Sequence, residues 1–199
     1  MTTIAYPIRR SLYLNITDRC TLKCRFCPKH TEQGPLVHGL DLSLDHRPEV
    51  EEIMQAIGRP QDYEEIVFCG FGEPTLRFKV LLQVAAWIKT RGGRVRINTD
   101  GLANLVNKRN VLPEMHGLID SLSVSMNAQN KEIYQLHCQP ALPGSWQAML
   151  DFLEQAPHYV PDVTATAIDG LQGVDIAACE RLATERGVKF RRRELDKVG

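Results

Sequence analysis

The 199 residues of the chain suffice for one domain with its own core, and 43% hydrophobic and 7% aromatic residues are ordinary values for a globular protein. Lysine and arginine together number 24, as do aspartate and glutamate, so the charge gives no support to a nucleic-acid backbone as the main partner. Since no apolar stretch is long enough to span a membrane and the N-terminus has no apolar leader, we expect a cytoplasmic protein.

Strand-like and helix-like segments alternate along the whole chain. Apolar alternation or short apolar runs predict six strands, at 11–17, 65–70, 94–98, 121–126, 163–168 and 188–195. Helical spacing of apolar residues predicts the segments between them, at 48–58, 81–88, 129–137, 145–156 and 175–187. This alternation favours a parallel α/β fold, and we expect a single domain over residues 1–199 whose barrel spans about 11–195.

Five of the predicted strands carry one apolar row and one polar row. The polar rows consist of Asn15 and Thr17, Arg96 and Asn98, Ser123, Ser125 and Asn127, Thr164 and Thr166, and Lys189, Arg191 and Arg193. If the apolar rows face the helices, the polar rows line a shared interior, as in an incomplete (β/α)6 parallel barrel that binds a polar ligand. The alternative is a set of edge strands that each have one face in solvent.

Three of the six cysteines lie close together in the sequence CTLKCRFC, directly after the first predicted strand: Cys20, Cys24 and Cys27. Active sites of parallel α/β folds lie at the carboxyl ends of the strands, so we expect these thiols there. In a cytoplasmic chain such cysteines are more typical of metal binding or catalysis than of disulfides. Three thiolates can hold three corners of a 4Fe–4S cluster, whereas a closed zinc site needs a fourth ligand, for which His30 is available.

The sequence around these cysteines resembles the radical SAM (S-adenosylmethionine) enzymes. The aromatic Phe26 stands immediately before the third cysteine, as it does in that family. The stretch GFGEPTL at 70–76 looks like the glycine–glycine–glutamate–proline stretch of the family, with Phe71 in place of one glycine. NTDG at 98–101 stands where relatives often have TNG. The resemblance extends over about residues 11–195, with the motifs in the expected order.

The resemblance implies roles for residues at the ends of several strands. It assigns a 4Fe–4S cluster to the three cysteines. It also places the aromatic residue near the adenine of SAM and the glycine-rich stretch against the methionyl amino group, with the proline fixing the turn. The SAM-binding residues implied in this way are Phe26, Gly70, Phe71, Gly72, Glu73, Pro74, Asn98, Ser123, Ser125 and Asn127.

The reaction that the resemblance implies begins with electron transfer. SAM chelates the open iron, and one electron from a donor such as a flavodoxin or a ferredoxin breaks the bond between its sulfur and C5′. The resulting 5′-deoxyadenosyl radical abstracts a hydrogen atom from a substrate that the sequence does not identify. The cofactor supplies the chemistry, while the protein positions and shields the radical.

Several kinds of protein are compatible with these motifs. LYLNITDRC and VFCGFGEPT look like a short radical SAM group associated with TatD-type metal-dependent hydrolases, which predicts such a hydrolase as a partner. Glycyl-radical-activating enzymes share the compact barrel and need a large protein partner. Deazaguanine-forming enzymes usually differ after the third cysteine, where this chain has Pro28-Lys29-His30. An iron–sulfur or zinc protein without SAM chemistry, serving electron transfer or as a scaffold, is the alternative of a different class.

Four further residues are candidates for contact with the substrate. Arg96, Arg191 and Arg193 can address an anionic substrate from the interior, although the last two can instead belong to a solvated edge paired with Glu194 and Asp196. Cys138 is a candidate thiol that donates to or quenches a substrate radical. The alternative is an ordinary buried cysteine.

Overall fold

A computed structural model of the chain describes residues 2–30, 36–37 and 39–195. The side chain of His30 and the whole of Asp196 lie outside the described residues. The strands of the described part are β1 (Ala5–Ile8), β2 (Ser11–Leu14), β3 (Leu36–Val37), β4 (Leu40–Asp41), β5 (Ile66–Phe68), β6 (Val95–Thr99), β7 (Ser121–Ser125), β8 (Asp162–Asp169) and β9 (Lys189–Glu194). The helices are α1 (Val50–Ile57), α2 (Phe78–Thr90), α3 (Ala103–Asn107), α4 (Lys131–Cys138), α5 (Ser145–Gln155) and α6 (Ile176–Glu185).

Seven strands form one sheet in the order β1-β2-β5-β6-β7-β8-β9, and β3 and β4 form a separate hairpin. The six strands from β2 to β9 in this sheet are parallel, whereas β1 pairs with β2 in the antiparallel direction. Because β1 and β9 do not pair with each other, the barrel is incomplete. The predicted parallel α/β fold is confirmed. Among the described residues, no helix is long and apolar enough to cross a membrane.

The helices cover one face of the sheet, and the main hydrophobic core lies between them and the strands. The strand residues that pack in this core and have no exposed surface are Leu14, Ile66, Phe68, Val95, Ile97, Val124, Ala165 and Ala167. The opposite face, which we call the inner face, carries the polar rows. The strand register places Asn98, Ser123 and Thr164 next to one another across it.

Apolar side chains cover the half of the inner face that β1, β2 and β5 form. They make a second, smaller cluster of Tyr6, Ile8, Tyr13, Val37, Leu42, Val67 and Phe71. The chain around Leu42 lies over this half, since its carbonyl oxygen accepts a hydrogen bond from Nδ2 of Asn15 at 2.7 Å. The polar interior expected from the sequence is therefore limited to the half that β6 to β9 form.

Candidate active site

The chain after β2 carries the three predicted cluster ligands at the carboxyl end of the parallel sheet; residues 18–29 are called the cysteine loop below. Cys20, Cys24 and Cys27 line one cavity of about 450 Å³, together with Phe71 and other residues. Cys20 is exposed, while the other two thiols are half-buried. The cavity has the size of an ordinary ligand pocket.

The C-terminal end of α4 supports the cysteine loop through the backbone. The amide nitrogen of Lys23 donates to the carbonyl oxygen of Cys138 at 3.1 Å. The amide nitrogen of Arg25 donates to the carbonyl oxygen of His137 at 2.9 Å. The last carbonyl groups of an α-helix have no donor within the helix. The cysteine loop supplies these donors, and the helix end in turn fixes the path of the loop.

Gly72 allows the stretch after β5 to pack directly on the chain that leads into the cysteine loop. A Cβ atom at this position would lie 2.4 Å from the carbonyl oxygens of Thr17 and of Arg19. The next amide, that of Glu73, donates to the carbonyl oxygen of Arg19 at 2.8 Å. Glycine is required here because only a hydrogen atom fits between the two backbones.

Glu73 links the stretch after β5 to the loop after β6 through its carboxylate. Oε1 accepts hydrogen bonds from the amide and hydroxyl of Thr75 (3.0 and 2.6 Å) and from the hydroxyl of Thr99 (2.9 Å). Oε2 accepts one from the amide of Asp100 at 2.7 Å. Burial, with the neighbouring Asp100 carboxylate, raises the pKa of Glu73 to about 8. The predicted contact of Glu73 with the SAM amino group stays a prediction.

Asp100 extends this connection to the cysteine loop. Its carboxylate accepts hydrogen bonds from the hydroxyl of Thr21, between two of the cysteines, and from the amide of Leu102. Burial raises the pKa of Asp100. The two carboxyl groups of Asp100 and Glu73 therefore join three loops at the carboxyl end of the sheet.

The surroundings of the cysteine loop favour neutral thiols. Burial raises the pKa of Cys27. A hydrogen bond with the side chain of Cys138 raises the pKa of Cys24, and burial raises it further. Metal centres bind thiolates, so metal binding at this loop would release protons.

The residues predicted to bind SAM lie around the same end of the molecule and on the inner face. Phe26 packs against the main core, Phe71 belongs to the inner-face cluster, and Pro74 begins a short 3-10 helix. Those on strands β6 and β7, or directly after them, are Asn98, Ser123, Ser125 and Asn127. Their contacts with SAM stay predictions.

Two buried polar atoms near the cysteine loop have no hydrogen-bond partner within the described residues: the hydroxyl of Tyr134 and Oδ1 of Asn127. Nδ2 of Asn127 lies 3.9 Å from Sγ of Cys138, which itself adjoins the loop. Burial raises the pKa of Tyr134, as do the neighbouring Cys138 and Asp100. Buried polar atoms normally have partners. These two atoms and the three thiols fit a polar cofactor bound at this place.

The spacing of the thiols bears on which metal centre fits. In the described part of the chain, no three histidine, cysteine, aspartate or glutamate side chains converge closely enough to hold one metal ion. In a 4Fe–4S cluster each cysteine binds a different iron, so the sulfur atoms stand further apart than around a single zinc ion. The cavity lined by the three thiols is the place where such a cluster would be held.

The three arginines proposed from the sequence all lie on strands of the inner face, but their partners differ. Arg96 forms an ion pair with Glu65, with 2.8 Å between Nη2 and Oε1. Nη2 of Arg191 donates to the hydroxyl of Ser123 at 3.3 Å. Arg193 lies two residues further along β9, towards its carboxyl end.

Cys138 is the last residue of α4 and has no exposed surface. Its carbonyl oxygen lies 3.8 Å from Sγ of Cys24. It therefore packs against a predicted cluster ligand, and its part in substrate chemistry stays a prediction.

Sequence reasoning did not single out Asp100 or Tyr134. The position of Asp100 directly after β6 was a usable signal, because polar residues at strand ends are frequent in the sites of such folds. Tyr134 gave no local signal, because its place beside the cysteine loop results from the packing of α4.

An incomplete parallel α/β barrel with a three-cysteine loop after its first parallel strand defines a class of enzymes that hold their cofactor at this end of the sheet. The family model of the Radical SAM superfamily matches residues 14–185. The chain therefore belongs to the Radical SAM superfamily and is an enzyme. This family implies a 4Fe–4S cluster and SAM as cofactors.

Individual relatives agree with this assignment. A protein of Methanocaldococcus jannaschii named as a glycyl-radical enzyme activating enzyme is 32% identical over 106 residues, which cover 51% of this chain and 38% of that protein. The structure of Streptococcus suis SuiB bound to precursor peptide SuiA has a TM-score of 0.71 at 14% identity, over 94% of this chain and 39% of SuiB. TYW1 with a lysine–pyruvate adduct has a TM-score of 0.66 at 14% identity, over 95% of this chain and 66% of TYW1. The two structures confirm the fold, and this chain spans only part of each relative's length.

Proposed function

We propose that the enzyme binds a 4Fe–4S cluster through Cys20, Cys24 and Cys27, cleaves SAM reductively and abstracts a hydrogen atom from a substrate. The observation that carries the proposal is that these three thiols line one cavity, in a chain of the Radical SAM superfamily. When bound, the cluster and SAM supply a 5′-deoxyadenosyl radical after one-electron reduction. A flavodoxin or a ferredoxin is the proposed donor, and the cytoplasm is the proposed location.

The chain's own residues hold and enclose this site. The end of α4 and the Glu73–Asp100 pair fix the cysteine loop from two sides. The buried ring of Phe71 keeps water away from one wall of the cavity. Water exclusion suits a radical intermediate, because it prevents side reactions.

Anaerobic reconstitution with iron and sulfide tests the proposal. We expect a 4Fe–4S signal in electron paramagnetic resonance (EPR) after dithionite reduction, a change of that signal on adding SAM, and 5′-deoxyadenosine in the product mixture. Cys24→Ala abolishes cluster assembly, whereas Cys138→Ala leaves the cluster in place because Cys138 supplies no predicted ligand. A full cluster in Cys24→Ala refutes the ligand assignment. A four-ligand metal whose spectrum ignores SAM supports the alternative of an electron-transfer or scaffold protein.

A glycyl-radical-activating role is the second candidate, and the relative from Methanocaldococcus jannaschii favours it. Association with a TatD-type hydrolase is the prediction from the sequence motifs. The neighbouring genes separate these possibilities: a glycyl-radical enzyme gene supports the first, and a hydrolase gene supports the second. A glycyl radical formed on the encoded partner, seen by EPR, tests the activating role directly.

A further inference from the structure

The last strand of the sheet, β9, carries four basic residues, which are distributed over both faces of the sheet. Lys189, Arg191 and Arg193 stand on the inner face, since they pair in register with Thr164, Thr166 and Ile168 of β8. Arg192 lies between them and points to the opposite face. Arg191 is exposed and Arg193 is half-buried, so a ligand can reach both.

The positive charges on this strand are not compensated equally. Arg192 forms an ion pair with Asp169, and Lys189 forms one with Asp162 at 3.0 Å. In the described ranges of the chain, no carboxylate forms an ion pair with Arg191 or Arg193. Within residues 2–30, 36–37 and 39–195, the two inner-face arginines therefore have no ion-pair partner, whereas Lys189 and Arg192 each have one.

Arg96 lies on the same face as these two arginines, but it has a carboxylate partner of its own. Its charge is matched by Glu65, whose carboxylate it binds through Nε and Nη2. Burial lowers the pKa of Arg191, and the positive charges of Arg96 and Arg193 lower it further, while Tyr13 and Glu65 act in the opposite direction. An arrangement of cations that repel one another disfavours folding, and such local violations are typical of functional sites.

The surroundings of these arginines suit an anion near the proposed cofactor. The hydroxyl of Ser123 already contacts Arg191, and Thr166 of β8 is the register partner of Arg191.

Arg193 also acts on Cys69. Burial raises the pKa of that thiol, while a hydrogen bond from Asn98 and the charges of Arg96 and Arg193 lower it. Cys69 directly precedes Gly70 of the glycine-rich stretch, so the charge of Arg193 acts at the edge of that stretch.

We propose that Arg191 and Arg193 form a binding site for an oxyanion, the carboxylate or phosphate group of the substrate. The proposal rests on the proposed function, since the anion anchors the molecule from which hydrogen is abstracted. Two guanidinium groups present paired N–H donors that match the geometry of carboxylate and phosphate oxygens. Arg96 takes no direct part, because Glu65 already occupies its donors.

Inorganic phosphate and malonate serve as probes of this site in the full-length, cluster-loaded enzyme with SAM present. Isothermal titration at constant ionic strength, with chloride as the reference salt, gives the affinity. We expect saturable binding that weakens at least about tenfold in Arg191→Gln and in Arg193→Gln, and vanishes in the double variant. Arg192→Gln is the matched control on the same strand, and it retains binding. Binding equal in the wild type and the double variant, or absent from both, overturns the proposal.

A second measurement separates the substrate's oxyanion from the carboxylate of SAM itself. Equilibrium dialysis with labelled SAM is carried out on the same variants. Unchanged SAM affinity in the double variant, with phosphate or malonate binding lost, supports the substrate site. A parallel loss of SAM affinity assigns the arginines to the cofactor and overturns the proposal. Circular dichroism and iron content verify that each variant is folded. Formation of 5′-deoxyadenosine by the wild type tests the proposed function separately, since anion binding does not depend on that reaction.

Discussion

The carboxylate of Glu73 accepts four hydrogen bonds, yet its pKa is about 8 where the ordinary value is 4.5. The donors favour the charged form, so burial and the neighbouring Asp100 carboxylate outweigh them. Between pH 4.5 and about 8 the folded chain keeps a proton that the unfolded chain has lost. The stability from this group is therefore complete below pH 4.5 and is lost as the pH rises through about 8.

Replacing Glu73 by glutamine in the cluster-free chain tests whether this buried proton makes the stability depend on pH. We expect the stability of the wild type relative to Glu73→Gln to fall as the pH rises from 4.5 to about 8. The slope is at most about 1.4 kcal/mol per pH unit, because glutamine does not titrate. Urea unfolding followed by circular dichroism at several pH values measures it. Asp100→Asn is the companion variant. Loss of the neighbouring carboxylate lowers the pKa of Glu73, so the pH range over which the stability falls becomes narrower. Parallel curves for the wild type and Glu73→Gln contradict a buried proton at this position.

Single residues at strand ends could be recognised from the sequence, but their partners could not. The spacing of the cysteines and the GEP sequence are local patterns. The donors to Glu73 include Thr99 and Asp100, which come from the next strand and become neighbours only when β5 and β6 pair. The same holds for Arg96, because its partner Glu65 directly precedes β5 and becomes its neighbour only when β5 and β6 pair. Nothing in the local sequence distinguished this paired arginine from Arg191.

At the scale of elements, the six parallel strands were predicted because each has several alternating or apolar residues. β1 was not predicted, since it has only four residues and Pro7 interrupts its pattern. Proline is tolerated in an edge strand, where its missing N–H removes no ladder hydrogen bond. The apolar side chains that cover half of the inner face were not predicted from the sequence either. Its members Val37 and Leu42 come from a segment with no extended periodicity.

The close approach of two elements at Gly72 gives a prediction for the stretch after β5. Gly72→Ala places a Cβ atom against the carbonyl oxygens of Thr17 and Arg19, so the backbone before Cys20 must move. We expect a loss of roughly 1–3 kcal/mol of stability in urea unfolding. Iron content after reconstitution falls as well, because the cysteine loop shifts.

Gly70→Ala provides the comparison. There the added Cβ would lie 2.2 Å from Oδ1 of Asn15, a side-chain atom, so Gly70→Ala costs less stability in an Asn15→Ala background than in the wild type. No single side-chain truncation restores the stability of Gly72→Ala, because the atoms in the way of its Cβ belong to the backbone. Wild-type stability and iron content in Gly72→Ala would show that the two backbones are not in close contact.

At the scale of the whole molecule, the distribution of charge matters more than its sum. The chain is neutral overall, yet residues 18–29 contain four basic residues and one acidic residue. Arg19, Lys23 and Arg25 are exposed beside the exposed Cys20. A positive rim at the proposed cluster suits an acidic electron donor, because opposite charges accelerate the encounter of two proteins and orient them.

Charge reversal at this rim tests the docking of the donor. Lys23→Glu combined with Arg25→Glu should slow cluster reduction by a reduced flavodoxin roughly tenfold or more at low ionic strength, because attraction becomes repulsion. The difference shrinks as salt is added, since screening weakens interactions between exposed charges. Stopped-flow absorbance of the cluster measures the rate.

Arg94→Glu is the control, because this exposed residue precedes β6 at the opposite end of the sheet. Reduction by dithionite, a small molecule that needs no docking surface, keeps its rate in both variants if the rim acts through protein docking. A salt-independent loss of rate with both reductants would instead mean that the substitutions disturb the cluster itself.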